Sequence, residues 1–503
     1  VLKLLLALVS AALLIFCFPR FNAVWFAPVA LVPLLLAVTR ERRPWRRFLL
    51  GWSAGAGYWC GVCYWVELVL AVHGDMGTGL ARAMFVLFCV AKGLHMGCFA
   101  LLAGILMRRW WAVPAVAAWW VTVEVTHGPL GFAWLALGNA GVDMGIPMRL
   151  APYTGVYGLS FVFVMMSAAL ALAILRRPRL ELLWLAPLPL MLLLPAMPGD
   201  EPGREAALLV QSNISETQEW TPEILSQTVR EQSALTLRGA LQPGVRRASI
   251  LVWPEVPAPY YYEDDAGFRE YTDSLARMTQ AYLLLGTVAH TANRAPLNSA
   301  ELISPAGAAV SRYDKVNLVP FGEFVPWPFN FLASKVSSEV GDFAAGKQVV
   351  VSSTGRHRIG TFICYESVFP NFVRQFPAGG AEVLFNISND GWFGQSAARR
   401  QHLNIVRMRA AENRRWILRS TNDGITAVID PAGRVRGALP LYTRAAYYAR
   451  FSYISTQTVY TRFGDWFAAV CALIATLCAV ASALPEPAKG TETDGSRPAQ
   501  PLP

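Results

Sequence analysis

The chain has 503 residues, 54% of them hydrophobic and only 16% charged, with a mean hydropathy of +0.36 and a formal net charge of +10. That balance excludes an ordinary water-soluble protein of this length, which would be more polar. The basic excess sits largely in short loops between apolar runs, which suits membrane topology and anionic lipid headgroups and gives no sign of nucleic-acid binding.

A helix crossing a bilayer needs roughly 20 apolar residues. Runs near that length, broken by charge or turn residues, fall at about 1 to 19, 22 to 39, 48 to 71, 80 to 107, 110 to 126, 156 to 175, 181 to 198 and 464 to 484, eight in all. Lys3 precedes the first as in a signal peptide, but no small-residue cleavage site follows and the next run begins at once, so a span is expected. Arg40, Arg42, Arg43, Arg46 and Arg47 lie between the second and third runs, Arg108 and Arg109 between the fourth and fifth, and Arg176, Arg177 and Arg179 between the sixth and seventh. If the spans alternate, all three basic loops share one side, which the positive-inside rule makes cytoplasmic. The amino terminus is then cytoplasmic, and the segment from about 199 to 463 lies outside. The Pro-, Gly-, Ser- and Thr-rich tail, 485 to 503, is expected to be disordered and cytoplasmic.

Between these apolar blocks the pattern alternates strand and helix. Strands are expected at about 206 to 211, 248 to 253, 282 to 289, 298 to 304, 309 to 313, 358 to 364, 381 to 386, 416 to 420 and 425 to 430. Helices fit about 222 to 241, 267 to 280, 367 to 376 and 398 to 413. About 260 residues suffice for one large α/β core.

Cys364 is the sole cysteine of this outer segment; those at 17, 60, 63, 89, 98, 471 and 478 lie in the apolar runs. Cys60-Gly-Val-Cys63 has redox spacing, yet it sits in an apolar helix without a βαβ pattern and reads as packing. A lone thiol in an oxidising compartment is hazardous unless it is used. Cys364 ends the apolar run Gly360-Thr-Phe-Ile, with Glu366 two residues on. Two other strand ends carry reactive groups, Ile250-Leu-Val-Trp-Pro-Glu255 and Arg312-Tyr-Asp-Lys315. A free thiol is only slightly ionised at neutral pH, so a carboxylate to take its proton and an ammonium to stabilise the resulting anions complete a nucleophile. Taken singly, Glu255 also reads as a surface carboxylate and Lys315 as a solvated lysine.

In order and spacing, Pro-Glu255, Tyr-Asp-Lys315 and Ile-Cys364-Tyr-Glu match the Glu-Lys-Cys triad of the nitrilase superfamily. Further motifs narrow the match: Gln211-Ser-Asn-Ile ahead of Trp220, Lys-x-x-Leu-Val-Pro-Phe-Gly-Glu-Phe-Val-Pro at 315 to 326, and Asn386-Ile-Ser-Asn-Asp-Gly-Trp-Phe-Gly394. With Gln401-His-Leu-x-x-x-Arg-Met-Arg-Ala410 and Arg419-Ser-Thr-Asn-x-Gly-Ile-Thr-Ala427, and with the flanking spans, the chain resembles the apolipoprotein N-acyltransferase family over nearly its whole length. Two positions depart from that pattern. Ala133, in Gly131-Phe-Ala-Trp-Leu135, stands where proline is expected, and Val256 follows the proposed base where a small or polar residue is usual.

The resemblance implies a membrane protein: an eight-helix transmembrane bundle plus an extracytoplasmic α/β nitrilase-like domain, an αββα four-layer sandwich. Residues 1–198 would hold seven transmembrane helices, 199–463 the catalytic domain and 464–484 the eighth helix. The implied location is the bacterial inner membrane, with the catalytic domain periplasmic and both termini cytoplasmic. The implied reaction is ping-pong acyl transfer, without metal or cofactor, from a membrane phospholipid to the α-amine of a diacylglyceryl apolipoprotein. Cys364 would be the nucleophile, Glu255 the general base, and Lys315 with a backbone N–H near Tyr365 the oxyanion stabilisers.

Glu323 would orient Lys315, and Glu366 would support the cysteine loop. Trp220, Phe324 and Trp327 would meet substrate, and Phe321, Phe324, Val325, Trp327, Phe329 and Phe331 would line an acyl groove or form a membrane-facing arm. Asn389-Asp390-Gly391 reads as a turn beside the site and His402 as structural. Two rivals stay open. A membrane-anchored amidase or nitrilase-type hydrolase would use the same triad with water as acceptor, and a non-catalytic membrane scaffold would not use it. A monomer is expected.

Overall fold

The computed structural model describes residues 1–74, 76–177, 179–242, 246–325 and 343–484. Trp327, Phe329, Phe331 and the tail from 485 onward lie outside the described residues. Among the described residues the outer segment forms twelve strands: β1 (Glu205–Gln211), β2 (Ile250–Val252), β3 (Tyr282–His290), β4 (Pro296–Ile303), β5 (Ala309–Asp314), β6 (Val351–Ser353), β7 (Arg358–Ile363), β8 (Val383–Ser388), β9 (Ile417–Thr421), β10 (Ala427–Ile429), β11 (Val435–Ala438) and β12 (Ala445–Phe451).

They build two six-stranded sheets, ordered β12-β1-β2-β3-β4-β5 and β11-β10-β9-β8-β7-β6. In each, three neighbouring strands run parallel and the flanks are antiparallel. Period-two alternation assigns the faces. Ala207 and Leu209 of β1 enter the core shared with the second sheet, while Leu208 and Val210 lie under the helices Pro222–Ala240 and Ala266–Thr279. Both helices start at capping side chains: the Thr221 hydroxyl accepts the Ile224 N–H at 3.3 Å, and Asp265 accepts the Phe268 N–H at 3.0 Å.

The helix Ala398–Asn413 covers the second sheet, completing a helix-sheet-sheet-helix stack. Its Val406 and Ala410 pack on the sheet, whereas Ile405, Met408 and Ala411 pack on the membrane half. Gln401 locks the contact, accepting from the Trp134 indole at 2.8 Å and donating to the carbonyls of Pro19 (2.7 Å) and Val62 (3.2 Å).

In the membrane half, Gly77–Leu106, Val156–Ile174 and Trp466–Ala483 are long and apolar enough to cross a bilayer. Pro44–Val62 and Trp65–Val72 form a fourth such unit bent by 61°. Leu2–Phe16 and Ala112–Val125 are apolar but shorter. The remaining two runs depart from the expectation of full-length helices. Residues 22–39 form a 3-10 turn, Val24–Phe26, and an eight-residue helix, Val32–Thr39, which rises only about 12 Å. Residues 181–198 are two 3-10 segments, Arg179–Leu185 and Leu188–Leu193; Pro187 and Pro189 bring no N–H to continue a helix.

The basic loops meet at one end of this bundle. Arg108 donates to the Glu41 carbonyl at 3.3 Å and Arg177 to the Arg108 carbonyl at 3.2 Å, at the end of Pro44–Val62 opposite the Val62 carbonyl that Gln401 holds.

Candidate active site

Three strand ends converge. Glu255 follows β2, Lys315 follows β5 and Cys364 follows β7, and all three are buried. The Lys315 ammonium donates to Glu255 Oε1 at 3.0 Å and to Glu323 Oε1 at 2.9 Å. Asn298 Nδ2 bridges the same two oxygens at 2.8 and 2.7 Å. The far oxygens are also held: Glu255 Oε2 accepts the Asn389 N–H at 2.7 Å and Glu323 Oε2 the Val319 N–H at 2.8 Å. Burial would push the Lys315 ammonium down, but Glu255 and then Glu323 hold it well above the ordinary lysine range. Burial, then the charge of Glu255, push the Cys364 thiol well up, against the pull of Lys315. The resting sulfur is therefore a neutral thiol beside a fixed ion cluster.

Cys364 adopts φ +48°, a left-handed conformation that costs a non-glycine residue about 1–2 kcal/mol, and it opens the 3-10 turn Cys364–Val368. Glu366 holds that turn. One oxygen accepts from the Tyr313 hydroxyl (2.7 Å), the Val316 N–H (2.7 Å) and the Asn317 N–H (3.1 Å), and the other from the Ile363 N–H (2.7 Å). It thus ties the cysteine turn to the segment after Lys315. Burial pushes its carboxyl up to about 7, against the Ile363 N–H and the Tyr313 hydroxyl. All four partners donate, so an amide must set its own N–H groups against one of them. Glu366→Gln is expected to lower the acyl-transfer rate about 100-fold and to destabilise the protein by about 1–3 kcal/mol, read by activity and thermal unfolding in detergent.

Tyr365 faces the membrane half. Its hydroxyl donates to the Ala133 carbonyl and accepts the Ala133 N–H, both at 3.1 Å, and its ring stacks on Phe132 at 5.6 Å. The alanine departure thus supplies an N–H that proline would lack. Phe321 and Val325, on the loop carrying Glu323, pack with Leu70, Met76 and Ala81 of the membrane half. Phe324 is half-buried on that loop, its carbonyl accepting the Phe321 N–H at 2.8 Å. Trp220 is half-buried and packs with the outer core of the first sheet.

Sequence reasoning passed over Asn298 and the network around His402. Asn298 is one of three polar residues in β4, with Ser299 and Glu301, and no spacing singles it out. His402 Nε2 lies 3.1 Å from the Cys364 carbonyl and 2.9 Å from Ser367 Oγ; its Nδ1 lies 3.0 Å from Asp390 and 3.1 Å from Arg419. The Asn389-Asp390-Gly391 turn is present as expected and caps Glu255 through Asn389.

Comparison with known proteins agrees in both halves. The family model for the carbon-nitrogen hydrolases matches residues 209–457, and that for the apolipoprotein N-acyltransferase N-terminal domain matches 10–169. The apolipoprotein N-acyltransferase of Geobacter metallireducens is 32% identical, covering 93% of this chain and 92% of its own. That of Azotobacter vinelandii is 33% identical, covering 92% of each. Among solved structures, an amidase from Nesterenkonia sp. aligns at 18% identity and a TM-score of 0.39, over 51% of this chain and 93% of its own. With full-length relatives above 30% identity and both halves matched, the chain belongs to the apolipoprotein N-acyltransferase family.

Proposed function

We propose that the chain N-acylates lipoproteins, moving an acyl chain from a membrane phospholipid, through a thioester on Cys364, to the α-amine of an S-diacylglyceryl cysteine. The observation that carries this reading is the ion cluster of Glu255, Lys315 and Glu323, buried on a cysteine turn whose Tyr365 and Val368 pack into the membrane half. In the first step Glu255 takes the Cys364 proton as sulfur attacks the ester carbonyl. Lys315 and the Tyr365 N–H stabilise the tetrahedral oxyanion. As it collapses, the glycerol oxygen leaves with the proton from Glu255, giving lysophospholipid and the thioester. In the second step the acceptor amine attacks the thioester and Glu255 accepts its proton. The amide forms and the departing sulfur is reprotonated.

A thioester is more reactive toward amines than the phospholipid ester, and it survives only where water is kept out. Contacts of Phe321 and Val325 with Leu70, Met76 and Ala81 support a lipid donor over a soluble one. In the layout we favour, the eight apolar runs are embedded in the inner membrane, residues 199–463 form the periplasmic catalytic domain, and the basic loops face the cytoplasm, as does the tail. The enzyme works as a monomer.

The test is intact-mass spectrometry of detergent-purified protein given phospholipid alone, then a diacylglyceryl peptide with a free amino terminus. The expected result is one acyl adduct on Cys364 that the peptide discharges and that Cys364→Ala abolishes. Turnover with water in place of the peptide would point to the hydrolase reading. An unmodified, folded wild-type protein would refute the thioester.

A further inference from the structure

The His402 contacts bear on the oxyanion side of this reaction. His402, Asp390 and Arg419 are all fully buried beneath the cysteine turn. Arg419 donates to both Asp390 oxygens, at 2.8 and 2.7 Å, and Ser388 Oγ donates to Asp390 at 2.9 Å, so the base of the network is fixed. A carbonyl can only accept, so the 3.1 Å contact with Cys364 O uses a ring proton on Nε2. The Nε2 proton is present in the doubly protonated ring, whose Nδ1–H donates to Asp390 Oδ1 at 3.0 Å, and in the neutral Nε2–H ring, whose Nδ1 accepts from Arg419 Nη2 at 3.1 Å. Burial and then the Arg419 charge hold the ring below the ordinary histidine range, against the pull of Asp390 and the Cys364 carbonyl.

The peptide plane from Cys364 to Tyr365 is rigid. In a trans peptide, the C=O of one residue and the N–H of the next point in opposite directions. Fixing the Cys364 carbonyl on His402 therefore fixes the Tyr365 N–H on the other side of the plane. Cys364 sits at φ +48°, a conformation that persists only where its surroundings hold it; Glu366 anchors the turn on the Ile363 side and His402 holds the Cys364 carbonyl itself. We propose that His402 is a positioning residue for acyl transfer: by holding the Cys364 carbonyl it aims the Tyr365 N–H at the oxyanion. The proposal rests on the thioester reading above and adds the group that orients its backbone donor.

Two amide variants separate the ring's two ends. The Gln side-chain nitrogen reaches where Nε2 stands and the Asn nitrogen where Nδ1 stands, so His402→Gln keeps a donor for Cys364 O whereas His402→Asn keeps only a group facing Asp390. Pre-steady-state acylation of Cys364 by phospholipid is followed by intact mass, alongside its alkylation by iodoacetamide, which builds no carbonyl oxyanion. His402→Asn is expected to acylate about 100-fold more slowly than wild type, at the lower end of the range for loss of one oxyanion donor. Its half-saturating phospholipid concentration and alkylation rate should stay unchanged, and His402→Gln should acylate within about 3-fold of wild type.

Equal acylation by the two variants, or an alkylation rate that falls in step with acylation, would overturn the proposal. Should the two variants differ in thermal midpoint, an independent donor-loss control, His402→Leu, must show the same loss of acylation with alkylation retained; if it does not, the proposal fails. A wild-type protein that takes no acyl group would instead sink the underlying thioester reading, and so is distinguishable.

Discussion

Replacing Lys315 by methionine is expected to lower acyl transfer by more than about 10³-fold and to destabilise the fold by about 3–5 kcal/mol, the usual penalty for removing one partner of a buried ion pair. The ammonium lies 3.0 Å from Glu255 and 2.9 Å from Glu323, and all three groups are buried. Without it, two carboxylates share only the Asn298 amide as a common donor. Because the folded-state pKa of Lys315 is raised, its stabilisation is fully present below the unfolded value of about 10.5 and is lost only as pH rises past the folded one. Lys315 itself should therefore add no pH dependence to the gap in thermal stability between wild type and Lys315→Met from about pH 6 to 9, and a slope there would report protonation of the two stranded carboxylates. Adding Glu323→Gln removes one stranded charge, so the double variant should regain stability but not activity. Recovery of activity in that variant would show that Lys315 serves only to neutralise Glu323.

Much of this site was legible because its chemistry stands at strand ends. Glu255, Lys315 and Cys364 each follow an apolar run, and a run that stops at a reactive residue is visible without coordinates. The strands at 351–353, 435–438 and 445–451 escaped notice. The first two are too short for alternation to show, and Ala445–Phe451 mixes alanine and tyrosine without a polar face.

Asn298 escaped for another reason, as did the contacts that join Asp390, His402 and Arg419, residues whose motifs were visible. Their importance lies in which carbonyl or carboxylate each faces after four separate segments meet, and no spacing along the chain encodes that. The apolar runs at 22–39 and 181–198 met the hydropathy criterion but not the helical one, because hydropathy counts apolar residues and is blind to where prolines remove hydrogen bonds.

Glu255→Gln separates proton transfer from electrostatics. The glutamine keeps nearly the same shape, so Lys315 and Asn298 retain an oxygen to bind, but its amide group then faces the Asn389 N–H that Glu255 Oε2 now accepts at 2.7 Å. Flipping the amide only moves the clash to the ammonium. One donor-donor contact survives either way, costing about 1–3 kcal/mol, so the variant should fold with a lowered thermal midpoint. Its chemistry should fail more completely. Cys364 rests as a thiol held up by burial and then by the charge of Glu255, the carboxylate that acts on it most strongly. Acylation is expected to fall about 10³-fold, within the range assigned to a positioned general base. Iodoacetamide alkylation should fall with it, since both reactions must remove the Cys364 proton. That joint loss is opposite to the split expected for His402→Asn, and a Glu255→Gln protein that alkylates at the wild-type rate would show that some other group takes the Cys364 proton.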